Sequence, residues 1–340
     1  MEAAVEHLVR DLAGPLLFLL IAAALAVLAW GADRLVDEAV ALSLRWQLPK
    51  AVVGATVVSL GTTMPEAVVS VLAALGGSPG LALGNAVGSI ICDTGLILGL
   101  GILIHPMPLD RRLVNRQGWL QLAAGVLLVL SSFPFSSPGT VLSRGGSLPQ
   151  WMGWVFIALL LLYLIQSIQW SRTQDVSADR EMDHPAARGA ALTLLRLATA
   201  IALVVGSSWV LIPAVKEAAL RLNVPEGIIA ATLVAFGTSL PELVTVVAAS
   251  LRGHPELGLG NVIGADILNV LFVAGISAAV TPGGLAAPPH FFRLLFPAML
   301  MVLVIFRIGI FLSGGVIRRP FGALLLGVYL LATIASYLFR

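Results

Sequence analysis

Two glutamates stand where an apolar chain has no ordinary use for them. Glu66 closes the run Gly61-Thr62-Thr63-Met64-Pro65-Glu66, and Glu242 closes Gly237-Thr238-Ser239-Leu240-Pro241-Glu242. Each follows a proline, which has no backbone N–H and whose ring clashes with the carbonyl one turn earlier. Carbonyls near Gly61-Thr62 and Gly237-Thr238 are thereby released from helical pairing, and in lipid such groups persist only against protein, water or a ligand. A carboxylate at the centre of a membrane helix costs about 2.5–3.5 kcal/mol on insertion scales. Two carboxylates, freed carbonyls and the hydroxyls of Thr62, Thr63, Thr238 and Ser239 make an all-oxygen set. Hard cations such as Na⁺ and Ca²⁺ want such a set, whereas softer metals want Cys or His.

More polar residues follow each glutamate at helical spacing. Ser89 and Asp93 lie four apart and Asp266 and Asn269 three apart, so each pair shares a helix face. Gly84 with Gly88, and Gly260 with Gly264, form small-residue faces on which backbones can approach closely, a packing feature. Asn85 and Asn261 suit bracing of nearby backbone and organising of ligands equally well. Glu66, Glu242, Asp93 and Asp266 bring four acids toward one low-dielectric region, where they cannot all stay ionised without about as many cations. Either one acid carries a proton when one Ca²⁺ is bound, with Asp266 a peripheral ligand or attractor, or Asp266 turns away toward an entry pathway. Cys92 reads as a small packing residue. His105, His254 and His290 fall near span ends without partner spacing and read as surface residues. Asp33, Arg34, Glu38, Asp110 and Arg111 read as interfacial, where long side chains snorkel.

The elements that must hold these groups are membrane helices. Of 340 residues 58% are hydrophobic and only 11% charged, with a mean hydropathy of +0.98. Soluble domains carry about 25% charged residues, so lipid is the expected solvent. The length suits about ten spans of roughly 20 residues. They are expected near 16–30, 50–75, 80–104, 117–135, 151–170, 190–213, 226–251, 256–280, 291–312 and 320–338. The first is expected to be a retained span: Glu2, Glu6 and Asp11 against Arg10 give the wrong charge for a leader peptide. The polar stretch 171–188 divides the chain into two halves, 1–170 and 189–340, and is too short to fold as a regulatory domain. Eleven Lys and Arg residues, Arg45, Lys50 and Arg252 among them, fall on the side of that linker against six opposite. The positive-inside rule then puts the linker in the cytoplasm and both termini outside the plasma (inner) membrane. The net charge of +2 and the lack of a long basic run argue against nucleic acid as a partner. A single cysteine excludes a disulfide framework within one chain.

The two glutamate motifs belong to an internal repeat. Residues 61–101 and 237–277 align without a gap at an offset of 176, with 17 identities in 41 positions. The matches include Gly61/Gly237, Thr62/Thr238, Pro65/Pro241, Glu66/Glu242, Gly84/Gly260, Asn85/Asn261 and Gly88/Gly264. With five spans between them, the copies must enter the membrane from opposite sides, an arrangement that places a binding site at the repeat interface.

These segments resemble the paired alpha-repeats of the calcium/cation antiporter superfamily, in its prokaryotic sodium/calcium exchanger branch. The resemblance is carried by G-T-[ST]-x-P-E and G-N-x-[IV]-G-[SA], within repeats at 54–101 and 230–277. It implies an all-α integral membrane fold of ten transmembrane helices in two inverted five-helix repeats. It also implies a secondary antiporter exchanging Ca²⁺ for Na⁺ by alternating access, with no enzyme activity, no cofactor beyond the transported ions, and one chain sufficient for transport. Four cation sites would centre on Glu66 and Glu242, joined by oxygens of Thr62, Thr63, Thr238 and Ser239, backbone at Ser59 and Ala235, and Ser89. The family often pairs an Asn in the first repeat with an Asp in the second; here the order is Asp93 and then Asn269. Ala265 lacks the second serine's hydroxyl, Asp266 replaces a usual Asn, and its first-repeat equivalent is Ile90. These departures keep H⁺ or K⁺ open as the driving ion. A channel would gather its filter from several subunits, and an intramembrane aspartyl enzyme would need Asp93 and Asp266 in a protease motif; neither fits as well.

Overall fold

The computed structural model describes residues 8–108, 111–172, 190–222 and 237–338, nearly all of them helical. α1 (Gly14–Trp46) is followed by α2 (Lys50–Thr62) and α3 (Met64–Leu75), which meet at a 42° bend. α4 (Pro79–Ile104), α5 (Arg111–Ser132) and α6 (Gln150–Arg172) complete the first half. α7 (Ala190–Arg221), α8 (Leu240–Leu251), α9 (Pro255–Val280), α10 (Phe291–Leu312) and α11 (Arg319–Leu338) make up the described part of the second. Among the described residues seven helices are long and apolar enough to cross a membrane, and α2 with α3 adds an eighth if read as one bent span. Large apolar side chains stand exposed around the bundle, among them Phe18, Trp30, Trp154, Leu162, Phe311 and Leu331. Water would not tolerate so extensive an apolar surface; lipid covers it.

Prolines and glycines set the local geometry. Pro65, Pro79, Pro241 and Pro255 occupy the first turns of α3, α4, α8 and α9, where a missing N–H costs the helix that follows none of its own bonds. Gly77 (φ 84°) and Gly253 (φ 75°) take the left-handed conformation that glycine adopts without steric cost, in the turns before α4 and α9.

α9 is the centre of the bundle, with every residue from 257 to 271 buried. It lies against α2 so closely that a Cβ on Gly260 would sit 2.1 Å from the Ala51 carbonyl, and one on Gly264 2.4 Å from that of Ala55. The glycine face therefore packs backbone on backbone. In the first repeat a Cβ on Gly84 would meet only Phe291, at 3.6 Å, and one on Gly88 would meet nothing outside its own helix within 4 Å among the described residues. Four short strands, β1 (Met107–Pro108), β2 (Gly146–Leu148), β3 (Leu285–Ala287) and β4 (Val316–Ile317), tie loops of the two halves together. β1 pairs antiparallel with β4 and β2 with β3.

Some expected boundaries move. The first span runs on from 30 to Trp46 because its charges find partners: Asp33 and Asp37 pair with Arg252, and Glu38 with Arg196. The 190–213 span continues through Pro213 to Arg221. The 50–75 span is broken at Thr63 rather than kinked. The expectations for 80–104 and 256–280 start within one residue of α4 and α9. Asp110, most of the 171–188 linker and the start of the 226–251 span lie outside the described residues.

Candidate cation-binding site

Glu66 and Glu242 are buried in the first turns of α3 and α8, where the positive end of the helix dipole favours negative charge. Glu66 lies within electrostatic reach of Glu242 and Asp93, and Asp93 within reach of Asp266. Thr62 donates to the Asn261 side-chain oxygen at 3.4 Å, and Thr238 donates to that of Asn85 at 3.5 Å. The offset of 176 converts one of these bonds into the other, so the repeat is two-fold in space as well as in sequence. Asn269 Nδ2 donates to Asp93 Oδ2 at 3.4 Å. These two residues are each other's counterparts, so the pseudo-two-fold axis passes between them. Thr63 donates to Glu242 Oε1 at 3.3 Å; the matching Ser239 hydroxyl and Glu66 carboxylate make no such bond.

The fold brings together Glu66, Glu242, Asp93, Asn269, Asp266, Thr62, Thr63, Ser239, Ser89 and Ser59, all buried, with Thr238 half-buried beside them. Ala235 lies outside the described residues. Eight of the buried side-chain oxygens here have no hydrogen-bond partner: both of Glu66, and one each of Ser89, Asp93, Ser239, Glu242, Asp266 and Asn269. Buried polar atoms are ordinarily paired, so this concentration of free oxygens is suited to coordinating a cation. Among the described residues no three of His, Cys, Asp and Glu converge closely enough to chelate a metal by themselves. A cation held here would need carboxylates mixed with hydroxyl, amide and backbone oxygens, the kind of mixture Ca²⁺ accepts.

Other details refine individual roles. The Ser59 carbonyl accepts from Thr63 N at 2.9 Å; the Thr62 hydroxyl lies 3.3 Å from it and has one proton to divide between it and Asn261. The carbonyl keeps a second lone pair when that proton goes to Asn261. Asn85 donates to the Glu66 carbonyl and to Ser70, so it braces the α3 backbone. Widened π-helical turns occur at Gly54–Val58, Ile91–Ile97 and Asn269–Ala274. Such bulges recur at functional sites; the last two carry Asp93 and Asn269, and Tyr163 caps the Ala55 carbonyl of the first at 3.0 Å. His254 is not the lone surface residue expected: its Nδ1 lies 3.3 Å from Lys50 Nζ and 3.9 Å from Glu256.

Sequence reasoning missed the partners of Asp266. Thr94 and Gln121 both hydrogen-bond to its Oδ2, while Gln117 joins Tyr163 and Ser167 in a second buried network. Gln117 and Gln121, one turn apart in an otherwise apolar stretch, were the available signal.

A bundle with a lipid-facing exterior and a two-fold, acid-bearing interior is a multi-pass membrane protein of internal-repeat construction. The chain belongs to the sodium/calcium exchanger protein family, whose profile matches residues 16–169 and 192–338. It is 29% identical to the sodium/calcium exchanger MaX1 of Methanosarcina acetivorans, over 92% of this chain and 96% of that one. It is 30% identical to an uncharacterised membrane protein of Methanocaldococcus jannaschii, over 76% of this chain and 77% of the relative. Its fold is similar to that of the sodium-calcium exchanger NCX_Mj soaked with Na⁺ and Sr²⁺, at a TM-score of 0.77 and 26% identity, covering 94% of this chain and 98% of that one.

Proposed function

We propose that this chain is a secondary active antiporter that exchanges Ca²⁺ for Na⁺ by alternating access, holding its ions between Glu66 and Glu242. The observation that carries the reading is the two-fold set of free oxygens around these buried acids, with Thr62–Asn261 and Thr238–Asn85 as its matched braces. In this reading ten spans form two inverted five-helix repeats, 1–170 and 189–340. Two such halves can exchange conformations about one site and so open it to either side in turn. A dehydrated Ca²⁺ needs about 6–8 oxygens. Glu66 and Glu242 supply two negative charges, with neutral oxygens from Thr62, Thr63, Thr238, Ser239, Ser89, Ser59 and Ala235. Asp93 and Asn269, on the axis, would serve the ion in either state, and Na⁺ would occupy the same oxygens in Ca²⁺'s absence. A single chain suffices, in the plasma membrane, with the 171–188 linker in the cytoplasm.

The test is ⁴⁵Ca²⁺ uptake by proteoliposomes under outward Na⁺, K⁺ or H⁺ gradients. Uptake driven by the Na⁺ gradient is expected. Uptake driven by K⁺ or H⁺ instead would replace the coupling ion, and single-channel currents without gradient-driven uptake would overturn the antiporter. A reporter active only outside the cytoplasm, fused at Asp179, should be silent.

A further inference from the structure

Asp266 breaks the two-fold pattern that the rest of the site obeys. Its counterpart at the offset of 176 is Ile90, and its partner Thr94 corresponds to Val270. A polar contact on one side of the axis therefore occupies positions that are apolar on the other, all four of them buried. Three helices meet at this contact. Gln121 of α5 donates from Nε2 to Thr94 Oγ1 at 3.1 Å and also to Asp266 Oδ2, and Thr94 of α4 donates to that same Oδ2. Both donors are neutral, and both end on one carboxylate oxygen. The other, Oδ1, is buried and has no partner.

No Lys, Arg or His pairs with Asp266 among the described residues. An ionised carboxylate left half-satisfied inside a bundle is costly unless a cation compensates it. A neighbouring group is suited to share such a cation. Asn269 lies one turn beyond Asp266 and has a free buried Oδ1 of its own. One anionic oxygen from Asp266, backed by this neutral amide oxygen, matches a monovalent charge better than a divalent one.

We propose that Asp266 is a Na⁺ subsite lying off the two-fold axis and present on one side only, and that Thr94 and Gln121 are positioning residues that pin Oδ2 and aim Oδ1 toward the ion path. This rests on the antiporter reading for its transport consequence but not for its binding consequence, and the two can be measured apart.

The variants are Asp266→Asn and the near-isosteric Gln121→Met and Thr94→Val, which keep the local volume. In proteoliposomes each should raise the Na⁺ concentration for half-maximal Ca²⁺ exchange roughly three- to tenfold, the range for losing one ordinary net hydrogen bond. The Ca²⁺ concentration for half-maximal uptake should move less than about twofold, a split that general loosening of the fold would not produce. Gln121→Met combined with Asp266→Asn should be no worse than Asp266→Asn alone, because the two act on one group. Equilibrium ²²Na⁺ binding to the purified protein reads the subsite without transport, and Asp266→Asn should bind one Na⁺ fewer. An unchanged Na⁺ stoichiometry, an equal shift in Na⁺ and Ca²⁺ dependence, or additive losses in the double variant would each overturn the proposal. Failure of wild-type exchange with the Na⁺ stoichiometry still falling in Asp266→Asn would overturn the antiporter reading and leave the subsite standing.

Discussion

Residues 72–80 and 248–256 fold into the same turn. Gly77 and Gly253 both have positive φ, and Ser78 N donates to the Ala73 carbonyl just as His254 N donates to that of Ala249, each at 2.8 Å. Ala73, Leu75, Gly77 and Pro79 recur as Ala249, Leu251, Gly253 and Pro255, but the residues at the positions between and after them differ. The first turn carries Gly76, Ser78 and Gly80; the second carries Arg252, His254 and Glu256. Arg252 pairs with Asp33 and Asp37 on α1, and Lys50 at the start of α2 reaches Glu256 at 3.2 Å and His254 at 3.3 Å. The positions on α7 that correspond to Asp33 and Asp37 are Trp209 and Pro213. One turn is thus bound by charge to α1 and α2, while its counterpart holds none of these charges. Partly exposed ion pairs are worth at most about 1 kcal/mol each, so the cluster biases this corner rather than locking it. The repeat is thus symmetric in its interior and asymmetric in its turns.

The comparison can be broken first at what the two repeats share. On the proposed reading Glu66→Gln and Glu242→Gln each remove a buried carboxylate that would hold the ion, at an expected cost of about 3 kcal/mol, or roughly 100-fold in Ca²⁺ affinity. Both should abolish uptake in proteoliposomes while the purified protein keeps its helical circular dichroism. Near-normal uptake by either variant would remove the paired acids from the mechanism.

The next largest effect should separate the repeats. Gly260→Ala drives a methyl into the Ala51 carbonyl and should destabilise the protein by about 1–3 kcal/mol, as overpacking does. The matched Gly84→Ala meets only ordinary contact at Phe291, and it should be neutral or stabilise by up to about 1 kcal/mol through helix propensity. Thermal unfolding in detergent measures both, and equal shifts would deny the packing difference between α9 and α4.

Pro65→Ala and Pro241→Ala should act alike and more gently. Each restores an N–H that can bond the carbonyl of Gly61 or Gly237, which draws an oxygen back into the helix. Ca²⁺ affinity should fall by about tenfold, the equivalent of one net hydrogen bond, with thermal stability kept or raised. Wild-type affinity in both variants would make the prolines simple kinks.

The smallest effect concerns the charged turn. Burial, and then the neighbouring Lys50, hold the His254 ring below its usual value of 6.5, against a weaker opposing pull from Glu256; Arg252 and Asp37 also face it. The neutral ring is therefore the form that the closed corner prefers. That preference is complete above pH 6.5 and is lost as pH falls through and below that value, when a second positive charge arrives beside Lys50. Between pH 7.5 and 5.5 the wild type should lose up to about 1 kcal/mol more stability than His254→Gln, a figure limited by the ring's partial exposure. Parallel pH profiles for the two proteins would show that His254 takes no part.

Much of this architecture is legible in the amino-acid sequence. The offset of 176 comes from residues whose identity is dictated by backbone geometry or ion chemistry: Gly61, Pro65, Glu66, Gly84 and Asn85 with their mates. Local steric rules act on such residues wherever the rest of the chain lies. The extent of α1 is not legible, because Asp33, Asp37 and Glu38 look like a span's end until Arg252 and Arg196 are placed beside them. The family resemblance implies Ser59 as a ligand, but not that Thr63 N already bonds its carbonyl.

By itself the sequence determined that the chain lives in lipid, that it is built from a doubled motif, and which acids the motif carries, since hydropathy and proline and glycine chemistry are local properties. Only the tertiary structure decided that Asp93 faces Asn269 across a pseudo-two-fold axis. It alone showed that Thr94 and Gln121 from two other helices claim one oxygen of Asp266, and that a single turn is bound by charge to α1. Those contacts join residues 145 or more apart in the chain. Helix crossing alone creates them, and no pattern along the chain encodes which faces will meet.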